Sequence, residues 1–256
     1  MIVSVTGKGG VGKTSLCAIL LDELARCDYP GPVLAVDADP ATTLHLALGL
    51  PQPEATVADV RETTSLDAQT VRSLPEGRTV STYVRDMLRE AQVVSRHRLR
   101  QMALDVMAMG QGEGPGCYCQ INRALSTALG QVVSAYRLIL VDNEAGVEHV
   151  SRYRLPQADL LLVVVTPGQA AQVVGRRVLA TARQVGMAIE TTWTIFNQTP
   201  TGYRPPADET GVTLAAPVSP ALTELEFQGR PVVALPVDDP VRAALQPLVE
   251  GIRRCA

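Results

Sequence analysis

Aromatic residues and long apolar runs are both scarce in this 256-residue chain, and each shortage limits the class of protein it can be. Phe, Trp and Tyr together make up 4% of the residues, so Val, Leu, Ile and Ala must fill the core. The longest apolar stretch, residues 160–165, is far too short to span a bilayer. The length nevertheless allows a large buried core, in one α/β domain or two small ones.

The chain also has no large excess of positive or negative charge and no even set of cysteines. Lys and Arg number 23 against 26 Asp and Glu, a net charge of −3, which argues against a general nucleic-acid binder. The five cysteines are an odd number spread along the chain, and Met1 leads into an apolar run rather than a signal peptide. We therefore expect a cytoplasmic protein with no disulfide framework and no membrane or nucleic-acid partner.

Apolar strands alternate with amphipathic helices along the chain. Strands are predicted at residues 1–5, 33–36, 104–109, 138–141, 160–165 and 192–196, and helices at 14–26, 121–134, 169–185 and 240–254. Several of these runs are apolar throughout, which is typical of parallel strands buried on both faces. The alternation predicts one α/β domain over residues 1–256, with an open, mostly parallel sheet and helices on both faces.

Residues 51–100 show the weakest pattern. Their one distinct feature is a basic run at residues 95–100. Such a run is either a solvated face or a docking patch for an acidic partner.

The loop after the first predicted strand is the most specific feature. Residues 7–14 read Gly-Lys-Gly-Gly-Val-Gly-Lys-Thr, a phosphate-binding loop pattern between a strand and a helix. Backbone N–H groups of such a loop converge on phosphate oxygens, and the helix N-terminus adds a favourable dipole. Lys13 is predicted to reach the β- and γ-phosphates, and the Thr14 hydroxyl to hold Mg²⁺. The predicted nucleotide contacts in this segment are Gly9, Gly10, Val11, Gly12, Lys13, Thr14 and Ser15.

Lys8 is a second lysine in the same loop. It is either a solvated surface residue or a group that reaches a nucleotide held by another copy of the chain, as an arginine finger does. The whole string resembles the deviant Walker A motif of the MinD, Mrp and nitrogenase iron protein superfamily. That resemblance implies a face-to-face dimer in which Lys8 crosses the interface and acts in catalysis.

Three aspartates follow predicted strands, at the edge where parallel sheets bind ligands. Asp37 and Asp39 each either orient the attacking water or the Mg²⁺ shell, or cap the next helix. Asp142 stands where a Walker B aspartate belongs, and Gly146 can bring its backbone close to a γ-phosphate. The superfamily resemblance implies that Asp39, which precedes Pro40, is the switch I catalytic residue.

Asn197 ends the last predicted strand. Gln198 and Pro200 follow where a guanine-reading Asn-Lys-x-Asp motif would have Lys and Asp, so that guanine reader is lacking. The superfamily places an Asn at this point against adenine, which implies ATP as the nucleotide. Residues 217–220 resemble the segment that closes the adenine pocket there.

Cys117 and Cys119 form a Cys-x-Cys pair in a glycine-rich segment. Soft thiolates at this spacing suit Zn²⁺, Cu(I), Ni²⁺ or an iron–sulfur cluster, yet two ligands cannot complete the shell. A symmetric dimer would bring four thiolates to its two-fold axis. Alternatively the pair is incidental. Cys17, inside the first helix, is predicted to be a buried apolar residue.

Nearly the whole chain resembles the carbon monoxide dehydrogenase maturation ATPases of the CooC type. Besides the loop and Asp39-Pro40, the resemblance rests on residues 116–119 and 142–146, followed by Glu148, His149, Ser151 and Arg152. It implies a homodimeric ATPase that binds Ni²⁺, or Zn²⁺ at the same site, between the Cys117 and Cys119 pairs of two copies. The client would be carbon monoxide dehydrogenase or the related acetyl-CoA synthase.

Two other functions stay open at this point. One is an electron-transfer ATPase similar to the nitrogenase iron protein, with an interface [4Fe–4S] cluster. The other is a positioning ATPase of the MinD or ParA type.

Overall fold

The computed structural model describes residues 1–63, 73, 79–110, 130, 135–143, 157–184, 186–206 and 212–255. The strands in this part of the chain are β1 (Ile2–Gly7), β2 (Val33–Ala38), β3 (Val94–Leu99), β4 (Met102–Ala108), β5 (Leu138–Asn143), β6 (Gln157–Val165), β7 (Ala188–Thr199) and β8 (Val212–Pro217). Its α-helices are α1 (Lys13–Arg26), α2 (Leu44–Leu48), α3 (Val57–Thr63), α4 (Val80–Glu90), α5 (Gln169–Gln184), α6 (Pro220–Phe227) and α7 (Pro240–Arg254). A short 3₁₀ helix, Val232–Ala234, precedes α7.

All eight strands belong to one sheet, in the order β3-β4-β2-β5-β1-β6-β7-β8. Every neighbouring pair is parallel except β3 and β4, which are antiparallel. The predicted fold class, an open, mostly parallel α/β sheet, is therefore confirmed. Because β1, β2, β5 and β7 run in one direction, their carboxyl ends lie along one edge of the sheet, where such folds bind ligands.

Helices cover both faces of the sheet, as the apolar strands predicted. In β5, Leu138 and Leu140 pack into the cluster that contains the buried faces of α1 and α7. Ile139 and Val141 alternate with them and pack on the opposite face, with residues of α3 and α4. A strand buried on both sides needs apolar side chains at every position, which explains its continuous apolar run.

The last helix confirms the predicted buried face. Its apolar side chains are buried against the sheet and α1, and they are Val241, Leu245, Leu248, Val249 and Ile252. This is the packing of a core helix.

Several elements carry too little sequence signal to be predicted, and the basic run is one of them. Residues 95–100 form most of β3 and its turn, an edge strand paired with β4. Arg96 and Arg98 are exposed, whereas Leu99 is buried. An edge strand pairs on one side only, so its polar content hides the strand pattern. The exposed arginines agree with a solvated face, and the docking alternative stays a prediction.

Boundaries also shifted at several elements. The strand predicted at residues 192–196 is part of β7, which is twelve residues long. The elements β8, α2, α4 and α6 were not predicted. The helices α2 and α6 are only five and eight residues long, too short for the helical period to be recognised in the sequence. The predicted helix at residues 121–134 lies outside the described residues except for residue 130.

A buried ion cluster joins α1 to α7. Arg242 is 2% exposed, and its Nη1 donates to a Glu23 carboxylate oxygen and lies 2.8 Å from Asp22 Oδ2. Its other nitrogens donate to the carbonyl oxygens of Leu235 and Pro236, at 2.9 Å each. Arg100, in the β3–β4 turn, reaches Asp22 Oδ1 at 2.9 Å. The helix that carries the phosphate loop is thereby fixed at its far end.

Burial would raise the pKa of Asp22, but hydrogen bonds from Arg100, Arg26 and Arg242 outweigh burial and hold that pKa below its ordinary value. The ionised Asp22 carboxylate therefore stabilises the folded protein.

Candidate active site

The phosphate loop lies between the end of β1 and the start of α1. Gly7 is the last residue of β1 and pairs with Val164 of β6. A Cβ atom on Gly7 would lie 2.2 Å from the Val164 carbonyl oxygen, so only glycine lets the two strands approach this closely before the loop. The chain then turns through residues 8–12 and enters the helix at Lys13.

Gly12 and Asn197 brace the end of the loop. Gly12 has a φ angle of 85°, in the left-handed region, and a Cβ there would lie 2.5 Å from Asn197 Nδ2. The buried Asn197 amide donates to the Val11 carbonyl oxygen at 2.8 Å. Asn197 was expected to contact adenine, and the structure shows it holding the loop; its contact with a base stays a prediction.

The two lysines of the loop differ sharply in exposure. Lys13 is 7% exposed, and its ammonium donates to the Lys8 carbonyl oxygen at 3.2 Å, so the side chain folds back over the loop. Lys8, Gly9 and Gly10 are exposed. The Lys13 ammonium is thus held at the loop, while the Lys8 side chain is in contact with solvent.

A hydroxyl and a carboxylate meet where Mg²⁺ was predicted. Thr14 Oγ1 donates to Asp142 Oδ2 at 2.6 Å, although the residues are 128 positions apart. Asp142 is 1% exposed, and within the described part of the chain its Oδ1 atom has no hydrogen-bond partner. A buried carboxylate oxygen without a donor is the kind of group that a hard cation or its water shell satisfies. The residues present therefore fit Mg²⁺.

Asp37 is the pairing neighbour of Asp142 on β2. Its Oδ2 accepts from the Leu44 N–H at 2.8 Å and its Oδ1 from the Asp39 N–H at 3.1 Å. The contact with Leu44, the first residue of α2, agrees with the capping role considered for Asp37, and its role toward water or Mg²⁺ stays a prediction. Asp39 is half-buried at the rim, and its Oδ1 accepts from the Ala41 N–H at 2.9 Å.

Burial shifts both inner carboxyl groups. It raises the pKa of Asp37 to about 6, against the lowering effect of the backbone hydrogen bonds from Leu44 and Asp39. Burial likewise raises the pKa of Asp142 to about 6, and the Asp37 carboxylate adds to the rise against the Thr14 hydrogen bond. Asp37 and Asp142 lie side by side, and burial makes the ionised form of each unfavourable. A bound cation would offset that cost, so the site favours a cation.

Asn143 is a structural residue of this edge that the sequence did not single out. Its Nδ2 donates to the Val5 carbonyl oxygen at 2.8 Å and to Ser4 Oγ at 2.9 Å. It therefore ties the end of β5, with Asp142, to β1 just ahead of the loop. An Asn after an aspartate carries no sequence signal for this role.

Several predicted site residues fall outside the described residues. They are Cys117, Cys119, Gly146, Glu148, His149, Ser151 and Arg152. Among the residues that the structure does describe, no group of three His, Cys, Asp or Glu side chains could hold a metal ion. Cys17 is buried as predicted, Cys27 is half-buried and Cys255 is exposed.

The family is shown by comparison with known proteins. A family model described as an AAA domain matches residues 1–195, so the chain belongs to this AAA domain family. An uncharacterized ATP-binding protein of Methanocaldococcus jannaschii is 29% identical over 259 residues, with 98% of each chain covered. The carbon monoxide dehydrogenase accessory protein CooC of Rhodospirillum rubrum is 28% identical over 191 residues, covering 73% of this chain and 71% of that protein.

Solved structures agree on the fold. The septum site-determining protein MinD of Pyrococcus horikoshii, complexed with Mg-ADP, superposes with a TM-score of 0.67 at 19% identity, covering 98% of this chain and 95% of that one. A ParA family ATPase of Chlorobium tepidum gives a TM-score of 0.66 at 20% identity, covering 97% and 98%. These structures show that the fold is MinD-like. The AAA domain family and the ATP-binding relative identify the chain as a P-loop ATPase.

In the regions that the structure describes, every helix is too short or too polar to cross a bilayer.

Proposed function

We propose that this ATPase is Mg²⁺-dependent, works as a homodimer and inserts nickel into carbon monoxide dehydrogenase or a related nickel enzyme. The observation that supports the nucleotide site best is the Thr14 hydroxyl on Asp142, whose second carboxylate oxygen is buried without a partner. The nickel function is supported by the CooC relative and by the Cys-x-Cys pair of the sequence.

Each residue of the loop would contact a different part of the nucleotide. Backbone N–H groups of Gly9, Gly10 and Gly12 face the phosphates in this proposal, and Lys13 exchanges the Lys8 carbonyl for a phosphate oxygen. Mg²⁺, held by Thr14 with Asp142 behind it, would neutralise phosphate charge when bound. Asp39 would orient the attacking water from the rim.

Lys8 is proposed to act in a second subunit. Because it is exposed, Lys8 could cross a two-fold interface between two copies of the chain. Its ammonium would then contact the phosphates of the nucleotide bound to the other copy and offset the negative charge that develops during phosphoryl transfer. Closure with ATP would then bring the Cys117 and Cys119 pairs of both copies together as four thiolates. Opening after hydrolysis would separate the pairs and release nickel.

An anaerobic Ni²⁺ titration, followed by thiolate-to-metal absorption, tests the metal proposal. Wild type should bind one Ni²⁺ per dimer, the Cys117→Ala/Cys119→Ala variant none, and a matched Cys255→Ala variant the full amount. Nucleotide binding should be retained in all three. Unchanged nickel stoichiometry in the double variant would overturn the assignment of the thiolate site.

A positioning ATPase is the second candidate, because solved MinD and ParA proteins share this fold. ATP-dependent sedimentation with liposomes or with DNA would favour it over the nickel function. A brown, iron-containing protein after anaerobic preparation would favour the electron-transfer alternative.

A further inference from the structure

A carboxylate lies against the outer part of the phosphate loop. Ser15 Oγ donates to Glu226 Oε1 at 2.9 Å, although the two residues are 211 positions apart. Glu226 belongs to α6, whose start is capped by Ser219. This contact has no part in the roles assigned above.

Ser15 is itself a phosphate-facing position. It is the third residue of α1, and Leu16 is the first whose N–H bonds back into the loop, at the Gly12 carbonyl oxygen. The N–H groups ahead of Leu16 have no partner within the helix, so they point toward an incoming anion. Thr14 is assigned to the cation and the backbone N–H groups of the loop to the α- and β-phosphates, so the Ser15 hydroxyl lies at the edge of that phosphate site.

The Glu226 carboxylate therefore occupies the position beside Ser15 that a phosphate group of the nucleotide would also occupy. A phosphate oxygen that accepts from the Ser15 hydroxyl has to replace the carboxylate there, and the two anions repel one another at this separation. The contact between Ser15 and Glu226 is exposed to solvent, so salt screens this repulsion.

We propose that Glu226 is an affinity-determining residue of the nucleotide site: it occupies Ser15 in the empty protein and must be displaced when ATP or ADP binds. The inference rests on the placement of the phosphates at the loop. It goes further, because it assigns a function at the nucleotide site to Glu226, which belongs to none of the nucleotide motifs.

The attachment of α6 suits such a displacement. Leu225 is its one fully buried side chain, and the neighbouring Phe227 is 88% exposed. Besides Leu225, only Ala221 and Leu222 of this helix pack against the core, and both are partly buried. Such a helix moves at low cost compared with α1, which is buried along most of its length.

The test compares Glu226→Gln with Glu224→Gln. Glutamine keeps the size of Glu226 and can still accept from Ser15, so only the charge is lost. Glu224 is an exposed carboxylate on the same helix, bonded to Gln228 rather than to the loop, and serves as the matched control. Titrations with ADP and with a non-hydrolysable ATP analogue measure affinity, and steady-state assays measure kcat.

Glu226→Gln should bind both nucleotides about three- to tenfold more tightly at low salt, with equal factors because both share the inner phosphate. The gain should shrink as salt rises, Glu226→Gln should still hydrolyse ATP, and Glu224→Gln should match wild type. Unchanged or weaker binding by Glu226→Gln would overturn the proposal, and weaker binding would assign the carboxylate to contact with bound nucleotide. If wild type bound neither nucleotide, the phosphate site itself would be wrong.

Discussion

At the scale of single residues, the site is built from polar groups that are costly to bury and are left ready for a ligand. Asp142 illustrates this, because one of its oxygens holds Thr14 and the other has no partner among the described residues. Its raised pKa means that the folded protein binds a proton more tightly than the unfolded chain does. Ionisation of Asp142 therefore lowers the stability of the ligand-free protein as pH rises from about 4 to about 6.

Asp142→Asn should accordingly stabilise the ligand-free protein while damaging its function. At pH 8 we expect the free energy of unfolding to rise by about 1–3 kcal/mol, because a buried charge is removed. At pH 5 the gain should fall to roughly half, since Asp142 is then largely protonated in the folded protein but still ionised in the unfolded chain. Denaturant unfolding at both pH values, with and without Mg-ATP, measures this, and the variant should lose the Mg-dependent part of ATP stabilisation.

Asp39→Asn is the control for that experiment, because Asp39 lies at the same edge of the sheet but is half-buried. It should leave the ligand-free stability nearly unchanged at both pH values. A loss of stability in Asp142→Asn at pH 8 would contradict the account of a buried, unfavourable charge.

Asn197→Ala tests whether this residue holds the loop or reads the base. Loss of the amide leaves the Val11 carbonyl without its donor, which should cost about 1–2 kcal/mol of stability and loosen the loop. If Asn197 acts through the loop, ATP and GTP affinities should fall by the same factor. A loss confined to ATP, measured by parallel titrations, would instead show recognition of adenine.

At the scale of helices and strands, the placement of α1 is controlled from both ends. Its start carries the loop, and its end carries Asp22 and Glu23, which bind the buried Arg242 of α7. The β3–β4 turn adds Arg100 to the same cluster. Since Asp22 has a lowered pKa, its contribution to stability is present above its ordinary pKa and is lost as pH falls through the lowered value.

Arg242→Met should be strongly destabilising, because it removes the fully buried cation that the Asp22 and Glu23 carboxylates share. We expect a loss of about 3–5 kcal/mol in chemical denaturation. The exposed pair of Arg254 and Glu250 offers a matched comparison, and Arg254→Met should cost less than about 1 kcal/mol. Combining Arg242→Met with Asp22→Asn and Glu23→Gln should restore part of the loss, and no restoration would show that packing rather than charge sets the effect.

At the scale of the whole molecule, the phosphate loop at the carboxyl edge of the sheet leaves Lys8 exposed to solvent. Lys13 already lies across the loop, bonded to the Lys8 carbonyl. The proposed dimer gives the Lys8 side chain a function, because it would complete the partner's site.

Mixing inactive subunits tests this directly. Lys8→Ala and Asp39→Asn proteins should each bind ATP and hydrolyse it poorly. In a mixed dimer, the Lys8→Ala subunit keeps its own Asp39 and receives Lys8 from its partner. Activity should return to roughly a quarter of wild type, since half of randomly mixed dimers are mixed and each has one intact site. If no activity returns on mixing, Lys8 acts within its own subunit.

How much could be predicted depended on how local each feature is. The phosphate loop was found because strand, glycines, lysine and helix are consecutive residues, and the parallel sheet because its apolar strands are continuous. The edge strand β3 was missed because pairing on one side leaves it polar. The cap formed by Asp37 was considered, whereas the roles of Asn143 and Arg242 were not, since their partners lie far away along the chain.

The sequence by itself determined the class of the protein: a parallel α/β fold with a nucleotide loop, since both follow from patterns within about fifteen neighbouring residues. Only the tertiary structure decided what surrounds that loop. Asn197 meets Val11, Asp142 meets Thr14 and Glu226 meets Ser15 across 186, 128 and 211 residues of chain. Strand register and helix packing bring these pairs together, and neither is encoded in a local pattern.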